Sequence, residues 1–405
     1  MFEWVWLLWF IPMPVFILFF YRWIENRHIF INTQLDYVPR THPYLILLIT
    51  TKNTPAIVKQ VVDRANEVCI GLGMDKSLYE IQVLADRQDT PIDNAREILV
   101  PGDYTTNKGS KGKCRALQYA LEMRRKEGRG GTNTWVFHLD EESFVTRQCL
   151  ISVLQYIVKK DPKPVAEGPI TYPNNLFTVH PFCATVENLR PYVCYDCVSQ
   201  MKGKDAPSFI HGSNLLVRAD VENSIQWDFN NPASEDQRFG WEIWLKYGNV
   251  FDWHGGLLEE QPPYTVKDMI NQRRRWFIGN WFNMYTCHLP FYKKVLITGR
   301  WLIWGLGFIS ALATIVVIPL HFWGIRQSVP DWMIPVLLFN TFSWLIGFQV
   351  GLYHNLSGMK LSLGKRIGTH LLTLVLTFPA GFIDTWAAFS SPFYMRNFKW
   401  VPTTK

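Results

Sequence analysis

Charge is scarce in this sequence. Of its 405 residues, 19% are Asp, Glu, Lys or Arg, while 48% are apolar and 15% aromatic, with 18 Trp and 27 Phe. Surface of that kind demands burial, which excludes a disordered, collagenous or fibrous chain. Cysteine is sparse too. Cys69, Cys114, Cys149, Cys183, Cys194, Cys197 and Cys287 are seven in number and scattered, which argues against a disulfide scaffold and for a reducing compartment around the middle of the chain. Cys194-Tyr195-Asp196-Cys197 has CxxC spacing, but there is no second such pair, so free thiols are expected rather than zinc. The opening Met-Phe-Glu-Trp lacks the basic flank of a signal peptide, and no small-residue cleavage site follows. The first apolar run is therefore expected to stay as an anchor. The net charge of +7 is concentrated beside apolar segments. That suits an anionic membrane surface or a phosphate-bearing ligand, and no nucleic-acid partner is expected.

The apolar residues pile up at the two ends, which excludes a plain soluble enzyme. Residues 4–21 carry no charge and are followed by Arg22, Arg27 and His28, long enough to cross a bilayer core, with Pro12 and Pro14 expected to kink the helix. Three further candidate spans cover 301–325, 332–356 and 367–394. Lys360, Lys365 and Arg366 lie in the linker before the last span, so that linker, and with it the middle domain, is expected in the cytosol. The sequon Asn355-Leu-Ser357 would then stay unmodified. The last segment contains Pro379, Gly381 and Asp384, which favours a kinked or re-entrant pair of half-helices over a single crossing. Residues 276–292, aromatic but broken by polar groups and directly after Arg273-Arg-Arg275, read as a helix lying in the membrane surface.

The expected organisation is an anchor over 1–28 and a cytosolic catalytic domain over 40–270. A basic and aromatic interfacial region over 271–299, a transmembrane region over 300–395 and a basic tail over 396–405 follow. Within the middle domain, residues 44–50, 79–85, 97–100 and 134–139 read as strands, and 55–70 and 113–125 as helices. Strand and helix alternating in this way predict an α/β fold, a parallel sheet with helices on both faces, whose ligands gather at the carboxyl ends of strands. Asp86 and Asp140 sit at such ends.

Three constellations carry chemistry. A strand running into Asp140-Glu141-Glu142 concentrates carboxylates at the sheet rim, where Asp140 and Glu142 could share Mg²⁺ or Mn²⁺ with a diphosphate; a solvated acidic loop would look the same. Glu235-Asp236 opens a helical pattern. The pair can be first-turn charges, or Asp236 can be a general base for a sugar hydroxyl. In Gln272-Arg273-Arg274-Arg275-Trp276, arginine can clamp a departing diphosphate and Trp can stack on a sugar ring, or the stripe can face lipid headgroups. Lys108, Lys111 and Lys113, interleaved with Gly109 and Gly112, form a basic Gly-rich loop ahead of a helix, which can contact phosphate, although such a loop is more often a plain flexible surface.

The order Asp86, Asp140-Glu-Glu142, Glu235-Asp236, Gln272-x-x-Arg275-Trp276 resembles the inverting family-2 glycosyltransferases of the cellulose and hyaluronan synthase type. Within that group, Cys114-Arg-Ala-Leu-Gln-Tyr-Ala-Leu-Glu122, His138-Leu-Asp-Glu-Glu-Ser143, Gly168-Pro-Ile-Thr-Tyr172 and Gln272-Arg-Arg-Arg-Trp276 are most similar to the Egghead-type β-1,4-mannosyltransferases. The terminal segment 398–405 is also similar to one that follows the spans in some synthases. The resemblance implies a GT-A fold, a Rossmann-like mixed sheet, with GDP-mannose as donor and the glucose of glucosylceramide as acceptor. It places the enzyme on an endoplasmic reticulum or Golgi membrane. It implies donor contacts from Asp86, Lys113, Asp140 and Arg275, and Mn²⁺ or Mg²⁺ on Asp140 and Glu142. Asp236 would be the base, and Glu235, Gln272, Trp276 and His211 would bind the acceptor. The metal motif is Asp-x-Glu where most of the wider family has Asp-x-Asp, and Arg87-Gln-Asp89 departs from the pattern expected after Asp86. A processive polysaccharide synthase using a UDP-sugar is the alternative within the family. A transporter or receptor without catalysis would leave the acid-ended strands unexplained.

Overall fold

The computed structural model describes residues 5–30, 35, 37–52, 54–86, 91–173, 179–230, 233–323 and 330–397. Arg87-Gln-Asp89 and the terminal segment 398–405 lie outside the described residues. A 3-10 turn (Val5–Phe10) leads into α1 (Met13–Glu25). Pro12 caps this helix and Pro14 stands in its first turn, where a fixed φ and a missing N–H cost nothing. The two prolines therefore start the helix instead of kinking it.

The middle domain follows as β1 (Tyr44–Thr51), α2 (Pro55–Gly71), β2 (Tyr79–Ala85), β3 (Arg96–Leu99), α3 (Gly112–Lys126), β4 (Thr134–Asp140), β5 (Phe144–Val145) and α4 (Arg147–Val158). Next come β6 (Val165–Glu167), β7 (Ile170–Thr171), α5 (Pro181–Glu187), α6 (Leu189–Lys202), β8 (Leu215–Arg218), α7 (Ala219–Ile225) and α8 (Glu235–Tyr247). β9 (Phe251–Trp253), β10 (Leu258–Glu259) and α9 (Val266–Thr286) complete it. The main sheet runs β3-β2-β1-β4-β8-β6-β9. β3, β2, β1 and β4 are mutually parallel, as the alternating sequence predicted. β8 is antiparallel to both β4 and β6, so the sheet is mixed. A small sheet, β5-β10-β7, lies beside it.

The continuous apolar run of β1 is buried on both faces, the mark of a central strand. Leu45, Leu47 and Ile49 pack on Val58, Val61 and Val62 of α2 and Leu150 and Val153 of α4. Ile46 and Leu48, one residue out of phase, belong to the opposite core, with Leu117 and Leu121 of α3, Val198 of α6 and Phe239 of α8. Each such side chain contributes about 1.5–3 kcal/mol on burial. A single-residue slip in β1 would exchange the two faces.

α10 (Phe291–Phe322), α11 (Ile334–Ser357) and α12 (Leu363–Ser390) close the chain. With α1 they make four helices long and apolar enough to cross a membrane. Three expectations change here. The boundary placed at 270 falls inside α9, which runs unbroken from Val266 to Thr286. Pro290 ends the linker, and Phe291 and Tyr292 start α10 instead of finishing an interfacial helix. One face of α9, with Phe277, Asn280 and Met284, is buried, and only the other exposes Trp281, Phe282 and Tyr285. The last apolar segment is one helix, not two half-helices. Pro379 is accommodated inside it, and the charge of Asp384 is paired rather than carried to a break. The middle domain meets this bundle through α6, which packs on α11 and α1. Gly351 of α11 makes that approach possible, because a Cβ there would sit 1.5 Å from the Asn188 carbonyl oxygen. All seven cysteines are free and buried.

Candidate active site

β4 delivers Asp140 to the sheet rim, and the chain turns at once. The Ser143 N–H donates to the Asp140 carbonyl at 3.1 Å, and the Asp140 N–H donates to Ser143 Oγ at 3.0 Å. The turn separates the three acids by role. Glu141 points back to β1, accepting from the hydroxyls of Thr51 and Thr54 at 2.8 and 2.6 Å. Asp140 accepts from Lys113 Nζ at 2.5 Å. Lys113 stands in the first turn of α3 and also reaches Glu235 Oε1, at 3.5 Å. Its ammonium thereby ties the acids of the 140–142 turn to those that open α8.

These groups line one cavity of about 420 Å³. Every candidate residue is on its wall: Asp86, Lys113, Asp140, Glu142, His211, Glu235, Asp236, Gln272, Arg275 and Trp276. Asp86, at the end of β2, is half held by Arg115 Nη1 at 2.5 Å. The His211 N–H donates to Glu167 Oε1 at 2.7 Å, and its ring Nε2 lies 3.7 Å from Cys197 Sγ. Burial keeps that imidazole well below its usual range and hence neutral. Burial, then the adjoining Glu235 carboxylate, push Asp236 well above the usual carboxylate range, against the pull of Lys113. Gly212 gives these groups room, since a Cβ would come within 2.8 Å of Lys113 Nζ and 3.2 Å of Asp236 Oδ2.

The three consecutive arginines of α9 diverge. Arg273 is buried and ion-paired with Glu187 at 2.6 Å and Asp384 at 2.8 Å. Arg274 turns to the end of α12, where its head lies over Trp386 and Tyr394 and meets Ser390 Oγ at 3.0 Å. Arg275 lines the cavity. Burial pulls its guanidinium below the usual value, opposed by the carboxylates of Glu235, Asp140 and Asp236. Of the three, Arg275 is the one aimed at the acids. Trp276 is stacked on the Arg273 guanidinium, 4.4 Å from the ring centre.

α9 also holds the loop before α8 in place. Gly279 lets it pass directly over residues 233–234, because a Cβ would meet the Ala233 carbonyl oxygen at 2.7 Å. Asn283 Nδ2 donates to the Ser234 carbonyl at 2.8 Å. Ser234 itself has φ +55°, a left-handed conformation uncommon outside glycine, and Glu235 and Asp236 follow as the first turn of α8.

Four wall residues escaped the sequence reading. Glu260 accepts from the hydroxyls of Ser213, Ser143 and Tyr172, and burial and Asp140 raise its carboxyl. It follows β10 as Glu259-Glu260, the same strand-then-acids signal that singled out 140–142. Tyr172 was quoted only within the Gly168 motif. Glu187 closes α5 beside Arg273. Arg190, near the start of α6, lies 5.7 Å from the Trp276 ring, and its Nε is buried without a hydrogen-bond partner among the described residues. Nothing in its sequence context marked it. His138 in the same motif as Asp140 belongs elsewhere, beneath the sheet, 3.3 Å from Glu222, which Arg124 also holds at 2.5 Å.

Among the described residues no group of three or more His, Cys, Asp or Glu side chains is arranged to hold a metal. Asp140 and Glu142 nevertheless offer hard oxygen donors on one wall. That donor set fits Mg²⁺ or Mn²⁺ taking its remaining ligands from phosphate and water, as such ions commonly do.

Comparison with known proteins agrees with this geometry. Residues 135–383, well over half the chain, match the model for glycosyl transferase family group 2. The chain belongs to that family. It is 26% identical over 355 residues to the β-1,4-mannosyltransferase bre-3 of Caenorhabditis briggsae, covering 85% of this chain and 75% of the relative. It is 28% identical over 272 residues to the β-1,4-mannosyltransferase egh of Drosophila melanogaster, covering 64% of this chain and 57% of that protein. In overall shape it resembles the mannosyltransferase PcManGT of Pyrobaculum calidifontis, solved with GDP-Man and Mn²⁺. The TM-score is 0.50 at 13% identity, covering 96% of this chain and 99% of that one. The fold of this family-2 glycosyltransferase domain is GT-A-like, and its span from β4 to α12 contains the metal-type acids, the α8 acids and the arginine helix together.

Proposed function

We propose that this protein is a membrane-embedded, inverting β-1,4-mannosyltransferase that moves mannose from GDP-mannose to the glucose of glucosylceramide. The observation that carries the reading is the convergence of Asp140, Glu142, Asp236 and Arg275 on one cavity beside the apolar helices. The mannosyltransferase names of the relatives support the sugar, and the GDP-Man of PcManGT supports the donor.

In this mechanism Asp236, ionised, accepts the proton of the acceptor hydroxyl as its oxygen attacks the anomeric carbon. Attack comes from the face opposite the diphosphate, so an α-linked donor yields a β-linkage. The bond from the anomeric carbon to the phosphate oxygen breaks, and its electron pair leaves with the diphosphate. Arg275 stabilises that charge, and Lys113 adds a second cation once phosphate draws it from Asp140. A divalent ion held by Asp140 and Glu142 would supply Lewis-acid neutralisation of the diphosphate. Asp86 orients the nucleoside, while Gln272, Trp276, Glu235 and His211 form the wall for the acceptor sugar. The basic linker before α12 orients the catalytic domain to the cytosol, on endoplasmic reticulum or Golgi membrane.

A thermal-unfolding panel of nucleotide sugars, with and without Mn²⁺ or Mg²⁺, tests the donor. GDP-mannose with metal should stabilise the protein most, by about 2.7 kcal/mol at a hundredfold excess over Kd. Preferential stabilisation by a UDP-sugar, with a ladder of products in place of a single added mannose, would replace this reading with a processive synthase.

A further inference from the structure

The cavity does not stop at the acids. Beyond Trp276 it continues among the apolar helices, lined by Phe16 and Phe19 of α1, Trp304 and Gly307 of α10, and Ser343 and Trp344 of α11. On α1 and on α10 the lining residues recur three and four apart, so each helix presents one broad face to the space. α1 packs on α6 and α11, and α10 packs on α12; the extension lies between those pairs. All four helices that frame it are long and apolar enough to cross a membrane.

The boundary between the polar and apolar parts is neutralised. Asp384 is on the wall, yet both its oxygens are taken, one by Arg273 Nε at 2.8 Å and the other by Trp304 Nε1 at 2.8 Å. Arg273 also donates from Nη2 to Glu187 and from Nη1 to Gln272. With that acid paired and much of the remaining surface aromatic, the wall holds hydrocarbon better than water. Small residues keep the space open: a Cβ at Gly307 would meet only Thr385 Cγ2, at 3.4 Å.

We propose that this extension is a binding slot for the hydrocarbon chain of the membrane-lipid acceptor, which enters between α1 and α10 while its sugar head reaches Trp276 and Asp236. The inference rests on the transferase reading above and deepens it, naming the helices that select the acceptor. A water-soluble acceptor would leave the aromatic wall wetted. A lipid held only by the outer surface of the bundle would leave the slot without a role.

The full chain in nanodiscs, given n-alkyl β-glucosides from butyl to dodecyl and GDP-mannose, tests this. KM should fall by up to about fourfold per added methylene until the slot is full. Gly307→Trp and, independently, Ser343→Phe should flatten that dependence, raising KM for dodecyl glucoside at least tenfold while kcat/KM for butyl glucoside stays within twofold. An unchanged chain-length dependence in both variants, or equal losses on short and long acceptors, overturns the slot. A diazirine-tagged dodecyl glucoside gives a readout without turnover. Crosslinks to peptides bearing Phe16, Gly307 or Trp344 support the slot, and crosslinks confined to outward residues such as Phe342 and Val375 overturn it. Labelling in the slot with no mannose transfer to any glucoside would leave the slot standing and remove the transferase reading.

Discussion

Burial and the neighbouring Glu235 carboxylate raise the Asp236 carboxyl to about 7. A base must be ionised to accept a proton, so kcat/KM should fall as pH drops through that value and level off above it. An acidic limb at the usual carboxylate range, near pH 4, would assign the base elsewhere. Asp236→Asn should lower kcat by roughly 10²–10⁴-fold while the thermal shift given by GDP-mannose and metal persists; equal loss of both would make Asp236 structural. Arg190 carries a prediction of a different kind. Its side chain lines the cavity, and its Nε is buried and without a hydrogen-bond partner among the described residues, so the guanidinium suits a ligand oxygen. Arg190→Met should raise the KM of one substrate by about tenfold or more, the worth of a charge-assisted hydrogen bond, and fold without loss. Unchanged KM values for donor and acceptor would leave it a mere stacking partner of Trp276.

Among the elements, α9 has two duties on one face. Toward the cavity it presents Gln272, Arg275 and Trp276, and one to two turns later it presses Gly279 and Asn283 onto the loop that sets Asp236. The arginine motif and Asp236 are thus positioned against each other, and a shift in one moves both. Gly279→Ala adds a methyl where the Ala233 carbonyl already lies 2.7 Å away. Overpacking of that kind costs about 1–3 kcal/mol. Activity should drop more than stability does, because the displaced backbone is the left-handed Ser234 step into α8. Unfolding curves and initial rates on the same sample decide this. A variant with normal kcat and a lowered Tm would show that the contact serves packing alone.

At the level of the whole molecule, the catalytic domain and the apolar bundle are joined by a buried ion network as well as by α6. Arg273 on α9 holds Glu187 of α5 and Asp384 of α12 at once, and it also fixes Gln272. Removing one partner from a buried pair typically costs about 3–5 kcal/mol, whereas replacing all partners by apolar groups of similar volume costs far less. Asp384→Leu should therefore destabilise the protein by roughly that amount in detergent or nanodiscs, and Arg273→Met added to it should restore part of the loss. Additive losses, read from thermal unfolding, would mean that the pair is not coupled. Because Gln272 hangs from the same arginine, the single variant should also raise acceptor KM more than donor KM.

Much of this was readable from local pattern. The two-faced burial of β1, the strands that end in Asp86 and Asp140, the first-turn acids of α8 and the apolar spans each follow from side-chain period and composition, which act over a few neighbouring residues. Tertiary structure decided what those signals could not reach. Pro12 and Pro14 look like kinks until the preceding turn makes them a helix start. Pro379 and Asp384 look like a break until Arg273 and Trp304, about 110 and 80 residues earlier, pair the acid within one helix. Arg273, Arg274 and Arg275 are equivalent as letters, and only the 100° step between successive helix positions sends one to the bundle, one to the end of α12 and one to the acids. Arg190 joins the site solely because the chain returns there, and long-range return leaves no trace in a local sequence pattern.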